Sequence, residues 1–225
     1  MSGNVELRLA YQEERAVELE QQVTRLVGPF RGDERALDVG CGAGALAFAL
    51  APHVAEVVGV DESPDLLAAG RERAPANVRL IEGDATALPF EYGEFAVAGT
   101  LRVLHHVHRP ELVVAELVRV IRRDGRILIV DQLGDVDPLR SIEMDRFERA
   151  RDPSHTRLLS DADLRGSLDA NGLVVSHNEV TREERDLERY LDLVGLTGDE
   201  RRRVANLAPG GTYQVEIGWY VAHKP

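Results

Sequence analysis

The segment ALDVGCGAG, residues 36–44, connects a short apolar run to a turn that is rich in glycine. The run ALDV at 36–39 predicts a β-strand, and the run ALAFAL at 45–50 predicts a buried helix directly after the turn. Gly40, Gly42 and Gly44 permit positive φ angles and leave no side chains between the backbone and a ligand at the strand end. The segment therefore predicts a strand–turn–helix unit whose turn binds a ligand, although glycine-rich turns also serve packing alone.

Strands and helices alternate along the rest of the chain. Ser63 and Pro64 are typical of an N-cap and a first helical turn, and Pro110 opens an amphipathic helix at 111–123 that the turn Asp124–Gly125 is expected to end. Strands separated by helices indicate an α/β fold with a parallel, doubly wound sheet. Six further strands are expected, at residues 56–60, 78–81, 95–99, 126–130, 173–180 and 213–222.

Two regions lie outside this alternation. Apolar residues from Val5 to Val27 recur mostly three or four positions apart, which predicts one face of a helix. Residues 134–157 are rich in charge and predict a helical insertion above the sheet edge, too charged for the core, before a helix capped by Ser160. The 225 residues are therefore expected to form a single domain with four parts: an opening helix (1–28), a ligand-binding core (35–131), the insertion (132–160) and C-terminal strands and helices (161–225).

Composition limits the classes of partner. A formal net charge of −12 disfavours binding to nucleic acid or to an anionic membrane surface, because both carry negative charge. Apolar runs stay well short of the roughly 20 residues that cross a bilayer, and the first residues lack the features of a secretory signal, so a cytoplasmic location is expected. Cys41 is the single cysteine, which excludes an internal disulfide and a multi-cysteine zinc site. A small-molecule partner fits best.

Two acidic residues follow the next predicted strands. Asp61 lies about 20 residues beyond Gly40, where a carboxylate accepts hydrogen bonds from both ribose hydroxyls, and Asp84 ends the third strand, where it can face an adenine amino group. Each acid is alternatively an ordinary solvated strand end or a helix cap. An NAD-dependent oxidoreductase would also place an acid near Asp61, but it prefers Gly-x-Gly-x-x-Gly to the Gly-x-Gly-x-Gly found here and gives Asp84 no role.

The order and spacing of five segments resemble those of the class I S-adenosylmethionine-dependent methyltransferases. The segments are ALDVGCGAG (36–44), GVD (59–61), GDATALPF (83–90), LHHV (104–107) and VIRRDGRILIVD (120–131). Within that family the chain is similar to the small-molecule branch that includes the ubiquinone and menaquinone C-methyltransferases. The resemblance implies a Rossmann-like sheet of seven strands with the last one antiparallel, and a small helical lid made by the opening helix and the insertion. It also implies S-adenosylmethionine as the cofactor and S-adenosylhomocysteine as the product.

The resemblance assigns ten positions of this chain to the cofactor. The methionine part would be contacted through Asp38, which also orients the turn, and by Thr100 and Leu101; the backbone of Gly40, Cys41 and Gly42 would pass beneath the methionine and the ribose. The ribose would be held by Asp61, and the adenine by Glu62, Asp84 and the Ala85 N–H. One position departs from the family pattern, because Ala96 follows Phe95 where the family usually has aspartate. This departure suggests altered packing beside the site.

Three histidines are candidates for a catalytic base. Methyl transfer depends mainly on alignment of the acceptor atom, but a hydroxyl, an acidic carbon or a protonated amine must also lose a proton, and histidine is the side chain best suited to accept it. His105 and His106 follow the fourth strand, and His155 lies in the insertion. Each is alternatively a capping, packing or surface residue. A metal site at His105, His106 and His108 is disfavoured, because no carboxylate or cysteine accompanies them at ligand spacing.

Two functions from different classes therefore remain after this comparison. The first is methyl transfer to an oxygen, nitrogen or carbon atom of a small molecule. The second is a protein that binds S-adenosylmethionine without transferring the methyl group, as a sensor or a partner subunit. An NAD-dependent oxidoreductase is a third and weaker alternative, and the acceptor and the oligomeric state stay open.

Overall fold

The computed structural model describes residues 5–225, which form one seven-stranded sheet in the order β3-β2-β1-β4-β5-β7-β6. Strands β1 to β5 pair in parallel, whereas β7 lies antiparallel between β5 and β6. The sheet therefore has the expected α/β class, with the last strand antiparallel. The strands are β1 Arg35–Val39, β2 Glu56–Asp61, β3 Val78–Glu82, β4 Phe95–Leu101, β5 Ile121–Gln132, β6 Val174–Asp186 and β7 Thr212–His223.

Helices cover both faces of the sheet. Successive residues of β1 show this, because Ala36 belongs to one buried apolar cluster and Leu37 to the other. The period-two alternation of side chains in a strand explains the division. The helices are α1 Val5–Val27, α2 Ala45–Leu50, α3 Pro64–Arg71, α4 Pro110–Val120, α5 Pro138–Arg151, α6 Asp161–Ala170, α7 Leu187–Asp192 and α8 Gly198–Ala205.

Helix caps lie where the sequence predicts them. The Ser63 hydroxyl accepts a hydrogen bond from the Leu66 N–H, and Pro64 occupies the first turn of α3. Ser160 and Asp163 form a reciprocal capping box at the start of α6. Each cap satisfies N–H groups that have no partner inside the helix, and so fixes the start of that helix.

The predicted end of the helix at 111–123 is wrong. Helix α4 stops at Val120, and β5 begins at Ile121, which pairs with Phe95 of β4 before the register shifts. Asp124 has a φ of +60°, and a Cβ on Gly125 would lie 2.5 Å from the Ile121 side chain. The turn Asp124–Gly125 is therefore an irregularity within β5 and not the end of a helix. The second residue of the turn must be glycine, because a Cβ there would overlap Ile121.

The charged insertion contributes to the core, contrary to the expectation that it is too charged to do so. Its helix α5 buries Phe147, Glu148 and Arg151. The Arg151 Nε donates to Glu148 at 2.8 Å, and Arg185 of β6 donates to the same carboxylate at 3.3 Å. Burial of these charges is tolerated because they are paired.

Helix α1 contributes only its last turns to the core, where Val23 and Val27 are buried. The first four residues of the predicted opening helix, 1–28, lie outside the described residues. Nearer the start of α1, Arg8, Tyr11 and Arg15 border a cavity at the carboxyl ends of the strands. Within residues 5–225, no helix combines the length and the apolar character needed to cross a membrane.

Candidate active site

The glycine turn after β1 has the backbone conformation that its sequence predicts. Gly40, Gly42 and Gly44 have φ angles of +71°, +53° and +94°. The N–H groups of Gly40 and Cys41 donate to the Val60 carbonyl at 2.8 and 3.0 Å, which fastens the turn to the end of β2. A Cβ on Gly40 would lie 2.4 Å from Val103, so both the positive φ and the close approach require glycine there.

Asp61 at the end of β2 braces this turn. One carboxylate oxygen accepts from the Gly42 N–H at 2.7 Å, and the other accepts from the Ser63 N–H at 2.9 Å. An ionised carboxylate can accept about four hydrogen bonds, so both oxygens retain capacity for ribose hydroxyls. The side chain that the sequence assigns to the ribose therefore also organises the backbone of the turn.

Asp84 and Ala85 follow β3 on the same edge of the sheet. The Thr86 N–H and hydroxyl both donate to one oxygen of Asp84 at 2.7 Å. These two hydrogen bonds lower the pKa of Asp84, so it is ionised near neutral pH. The second oxygen of Asp84 can accept a hydrogen bond from a ligand.

A cavity of about 1020 Å³ lies at this edge of the sheet and is bordered by α1 from Arg8 to Gln22. Ligand pockets typically measure about 300–1,000 Å³, so this cavity is at the upper end of the usual range. The loop after β4 and residues 152–156 also line the cavity. The cavity is lined by eight of the ten residues assigned to the cofactor: Gly40, Cys41, Gly42, Asp61, Glu62, Asp84, Ala85 and Leu101.

The other two, Asp38 and Thr100, are buried and do not line the cavity. One oxygen of Asp38 accepts from the Ala47 N–H in the first turn of α2 at 2.9 Å. Its other oxygen and the Thr100 hydroxyl have no hydrogen-bond partner among residues 5–225. Burial raises the pKa of Asp38 to about 7. Asp38 therefore joins the glycine turn to α2.

The three candidate histidines come together although His155 is distant in sequence from the other two. The ring centroids of His105 and His106 are 4.2 Å apart, and that of His155 lies 5.6 Å from His105 and 6.3 Å from His106. His106 and His155 line the cavity, whereas His105 does not. The structure thus divides the three into two residues at the cavity wall and one in contact with both.

Each histidine has its own hydrogen-bond partner. The Nδ1 of His106 lies 2.8 Å from the Ser154 hydroxyl, and the Nε2 of His155 lies 2.8 Å from Asp145. The Nδ1 of His105 contacts Asp131, a buried carboxylate at the end of β5. A partner at one ring nitrogen fixes the orientation of the ring and the role of the other nitrogen.

Electrostatics distinguish His106 from the pair formed by His105 and Asp131. Burial, together with the neighbouring His105, lowers the pKa of His106 to about 4, so its ring is neutral at pH 7. Burial alone would raise the pKa of Asp131, but His105 holds it below its ordinary value, and the carboxylate is ionised. His106 is thus suited to hydrogen bonding as a neutral ring, while Asp131 presents an ionised partner to His105.

Sequence reasoning missed several charged residues of the site. One sequence feature could have identified Asp131: like Asp61, it is an acidic residue that directly follows a predicted strand. Arg102 lies beside Leu101, which the sequence did assign, and Glu183 binds it from β6. Within residues 5–225, no group of three or more histidine, cysteine or acidic side chains is arranged to hold a metal ion.

Residues 37–129 match the family model described as a methyltransferase domain. The chain is 35% identical over 147 residues to the uncharacterised methyltransferase YcgJ of Bacillus subtilis, and 36% identical over 139 residues to a demethylmenaquinone methyltransferase of Clavibacter sepedonicus. These alignments cover 64% and 61% of this chain but only 58% and 56% of the relatives. The chain thus spans somewhat over half the length of the curated relatives it matches.

Solved structures show the same fold. The crystal structure of YcgJ superimposes with a TM-score of 0.85 at 24% identity, covering 92% of this chain and 98% of that one. A geranyl diphosphate methyltransferase in complex with S-adenosylmethionine superimposes with a TM-score of 0.65 at 20% identity, covering 93% and 85%. Residues 37–129 are therefore a methyltransferase domain of the class I, S-adenosylmethionine-dependent family, and the chain resembles the menaquinone methyltransferases of that family.

Proposed function

We propose that this protein transfers a methyl group from S-adenosylmethionine to an oxygen, nitrogen or carbon atom of a small molecule and releases S-adenosylhomocysteine. The observation that carries the proposal is the joint geometry of Asp61 and the glycine turn at one wall of a large cavity. The methyltransferase domain at residues 37–129 supports the same reaction. The alternative function, an NAD-dependent oxidoreductase, is disfavoured because the turn lacks the glycine spacing that such enzymes prefer.

The residues present fit the proposed cofactor. Gly40 and Gly42 line the cavity without side chains, where the methionine and ribose would lie, and Asp61 offers oxygens to the ribose hydroxyls. Asp84 and the Ala85 N–H would bind the adenine edge with Glu62 beside it, while Leu101 would contact the methionine end. Asp38 and Thr100 would act from beneath, by positioning the turn and the end of β4.

When bound, the cofactor supplies an electrophilic methyl group, and the protein aligns the acceptor and excludes water. We propose that the lid consists of α1, with Tyr11 over the cavity, and residues 152–156 of the insertion. His106 and His155 would contact the acceptor. The proton would pass toward His105, which contacts the ionised carboxylate of Asp131. His106 itself is a weak base, because its pKa of about 4 lies far below neutral pH.

Calorimetry with S-adenosylhomocysteine tests the cofactor site. We expect the wild-type protein to bind, and Asp61→Ala to weaken binding at least about tenfold, equivalent to roughly 1.4 kcal/mol. Asp65→Ala is the matched control, because Asp65 is an exposed acid on the neighbouring helix α3 that does not line the cavity. Absence of heat with the wild-type protein would refute the proposal, as would equal binding by Asp61→Ala.

Binding without methyl transfer, as in a sensor or partner subunit, is the competing function. An occluded or wholly apolar pocket would favour it, whereas this cavity is open to a second molecule and is lined by His106, His155 and several arginines. Transfer of a labelled methyl group to acceptors from a small-molecule library distinguishes the two. We expect transfer by the wild-type protein and a loss of rate in His106→Ala; a protein that binds the cofactor but labels none of them is a binding module.

A further inference from the structure

The two sides of the cavity differ in charge. Asp61, Glu62 and Asp84 line it near β2 and β3, at one edge of the sheet. Arg15 of α1 and Arg102, which follows β4, line the opposite side, where their partner lies on β6 at the other edge. The acidic side matches the hydroxyl and amino groups of a nucleoside, whereas the arginine side matches a negatively charged group.

Both arginines contact one carboxylate that is largely withdrawn from solvent. Glu183 of β6 is 11% exposed; it pairs with Arg102 and lies 3.0 Å from Arg15. Arg185 approaches the same carboxylate at 3.5 Å. Burial would raise the pKa of Glu183, but these three guanidinium groups hold it at about 2. Glu183 is therefore ionised at any working pH and orients the arginines.

Positive charge exceeds negative charge in this group. Arg185 also pairs with Glu148, and that carboxylate is shared with Arg151. Four guanidinium groups thus share Glu148 and Glu183. Two other acids line the cavity nearby: Asp152, which pairs with Arg8 at 3.7 Å, and Glu18, which is exposed to solvent. This surplus of positive charge contrasts with the net charge of −12 on the whole chain.

The backbone at Arg102 is strained. Its φ is +58°, in the left-handed region that residues other than glycine rarely adopt. The Arg102 N–H donates to the Val130 carbonyl at 2.7 Å, which holds this conformation directly after the end of β4. Strained residues are concentrated at ligand sites, where the surrounding structure maintains them. The strain places a guanidinium group beside the cavity that uses one of its nitrogens for Glu183 and leaves other N–H groups for a ligand.

We propose that the methyl acceptor is a carboxylic acid whose carboxylate binds Arg102 and Arg15 at the α1 side of the cavity; this inference rests on the proposed function. A carboxylate matches the planar fork of a guanidinium group and offsets the surplus of positive charge. Binding there places the rest of the acceptor between the arginines and the acidic, nucleoside-binding side of the cavity. Arg102 and Arg15 would thus select acidic acceptors over neutral ones.

NMR titration with benzoate, and with neutral benzamide as the matched ligand, tests the subsite with and without saturating S-adenosylhomocysteine. We expect benzoate to bind the wild-type protein at least about tenfold more tightly than benzamide. Arg102→Met should remove that preference, and Arg102→Lys should retain part of it because the charge remains. Arg202→Met is the control, since Arg202 is a highly exposed arginine on α8. Circular dichroism establishes that each variant is folded, and Arg15→Met replaces Arg102→Met if that variant is not.

Three outcomes would overturn the inference. The first is a wild-type protein that does not prefer benzoate to benzamide, and the second is an unchanged preference in folded Arg102→Met and Arg15→Met. The third is that Arg102→Met weakens binding of S-adenosylhomocysteine but not of 5′-methylthioadenosine, which lacks the amino-acid carboxylate; Arg102 would then serve the cofactor. Failure of S-adenosylhomocysteine to bind the wild-type protein would instead count against the proposed function, because benzoate binding is measured independently.

Discussion

Replacement of Asp38 by asparagine should stabilise the unliganded protein, and more so as the pH rises. Asp38 is buried beneath the glycine turn, with one oxygen bonded to the Ala47 N–H and the other unpaired among residues 5–225. An asparagine oxygen retains the bond to Ala47 but carries no charge. The ionised carboxylate, by contrast, must lose its hydration without a compensating positive charge.

The size of the effect follows from the difference in pKa between the two states. Burial raises the pKa of folded Asp38 to about 7 from the ordinary value of 3.8. Between these values the folded protein retains a proton that the unfolded chain has lost, so stability falls as the pH rises through this window and levels off above about pH 7. At 1.36 kcal/mol per pKa unit, the destabilisation grows by roughly 2–3 kcal/mol between about pH 5 and pH 8.

Urea unfolding of the wild-type protein and Asp38→Asn at both pH values measures this difference. We expect the variant to gain about 2–3 kcal/mol relative to the wild type on going from about pH 5 to pH 8. Other titrating groups cancel in the comparison, and any constant effect of the amide cancels as well. Asp65→Asn, at an exposed position, should show no such dependence. A difference between wild type and Asp38→Asn that does not change with pH would refute the reasoning.

Three further predictions concern other features of the fold. Gly40→Ala should lose about 1–3 kcal/mol more stability in urea unfolding than Gly32→Ala, because both glycines have a positive φ but only at Gly40 would a Cβ overlap Val103; equal losses would contradict the role of Val103. Ser160→Ala should lower the free energy of unfolding by about 1 kcal/mol through loss of the capping box, and an unchanged value would show that the cap is dispensable. The His106 ring should remain neutral in NMR titration from about pH 8 down to about pH 5, because its pKa lies at about 4; protonation near its ordinary value would show that the ring is better hydrated than the structure indicates.

The alternation of strands and helices could be predicted because each buried strand is a short apolar run between turn residues. The end of α4 could not. Val113, Val114, Leu117, Val120 and Ile121 all fit one helix face, so the helical pattern continues past the true end. What ends the helix is a tertiary contact, the pairing of Ile121 with Phe95 in the sheet. Local periodicity carries no information about that pairing.

The candidate site divides in the same way. Its acidic side depends on positions fixed by the topology, namely the carboxyl ends of consecutive parallel strands, and so the placement of Asp61 and Asp84 at the cavity could be predicted from sequence. Its arginine side depends on pairs that are distant along the chain. Arg102 and Glu183 are separated by 81 positions, and in sequence each resembles an ordinary charged surface residue. Their contact could be found only from the tertiary structure, in which Glu183 of β6 meets Arg102 after β4.

The packing of Cys41 against Gly59 has a chemical consequence. A Cβ on Gly59 would lie 2.9 Å from the Cys41 sulfur, so the thiol fills the space that this glycine leaves. Burial raises the pKa of Cys41, with Asp38 and Asp61 adding to the effect, and the sulfur therefore stays protonated. Alkylation requires a thiolate. If S-adenosylmethionine binds at this turn as proposed, the protonated thiol would not compete with the acceptor for the methyl group.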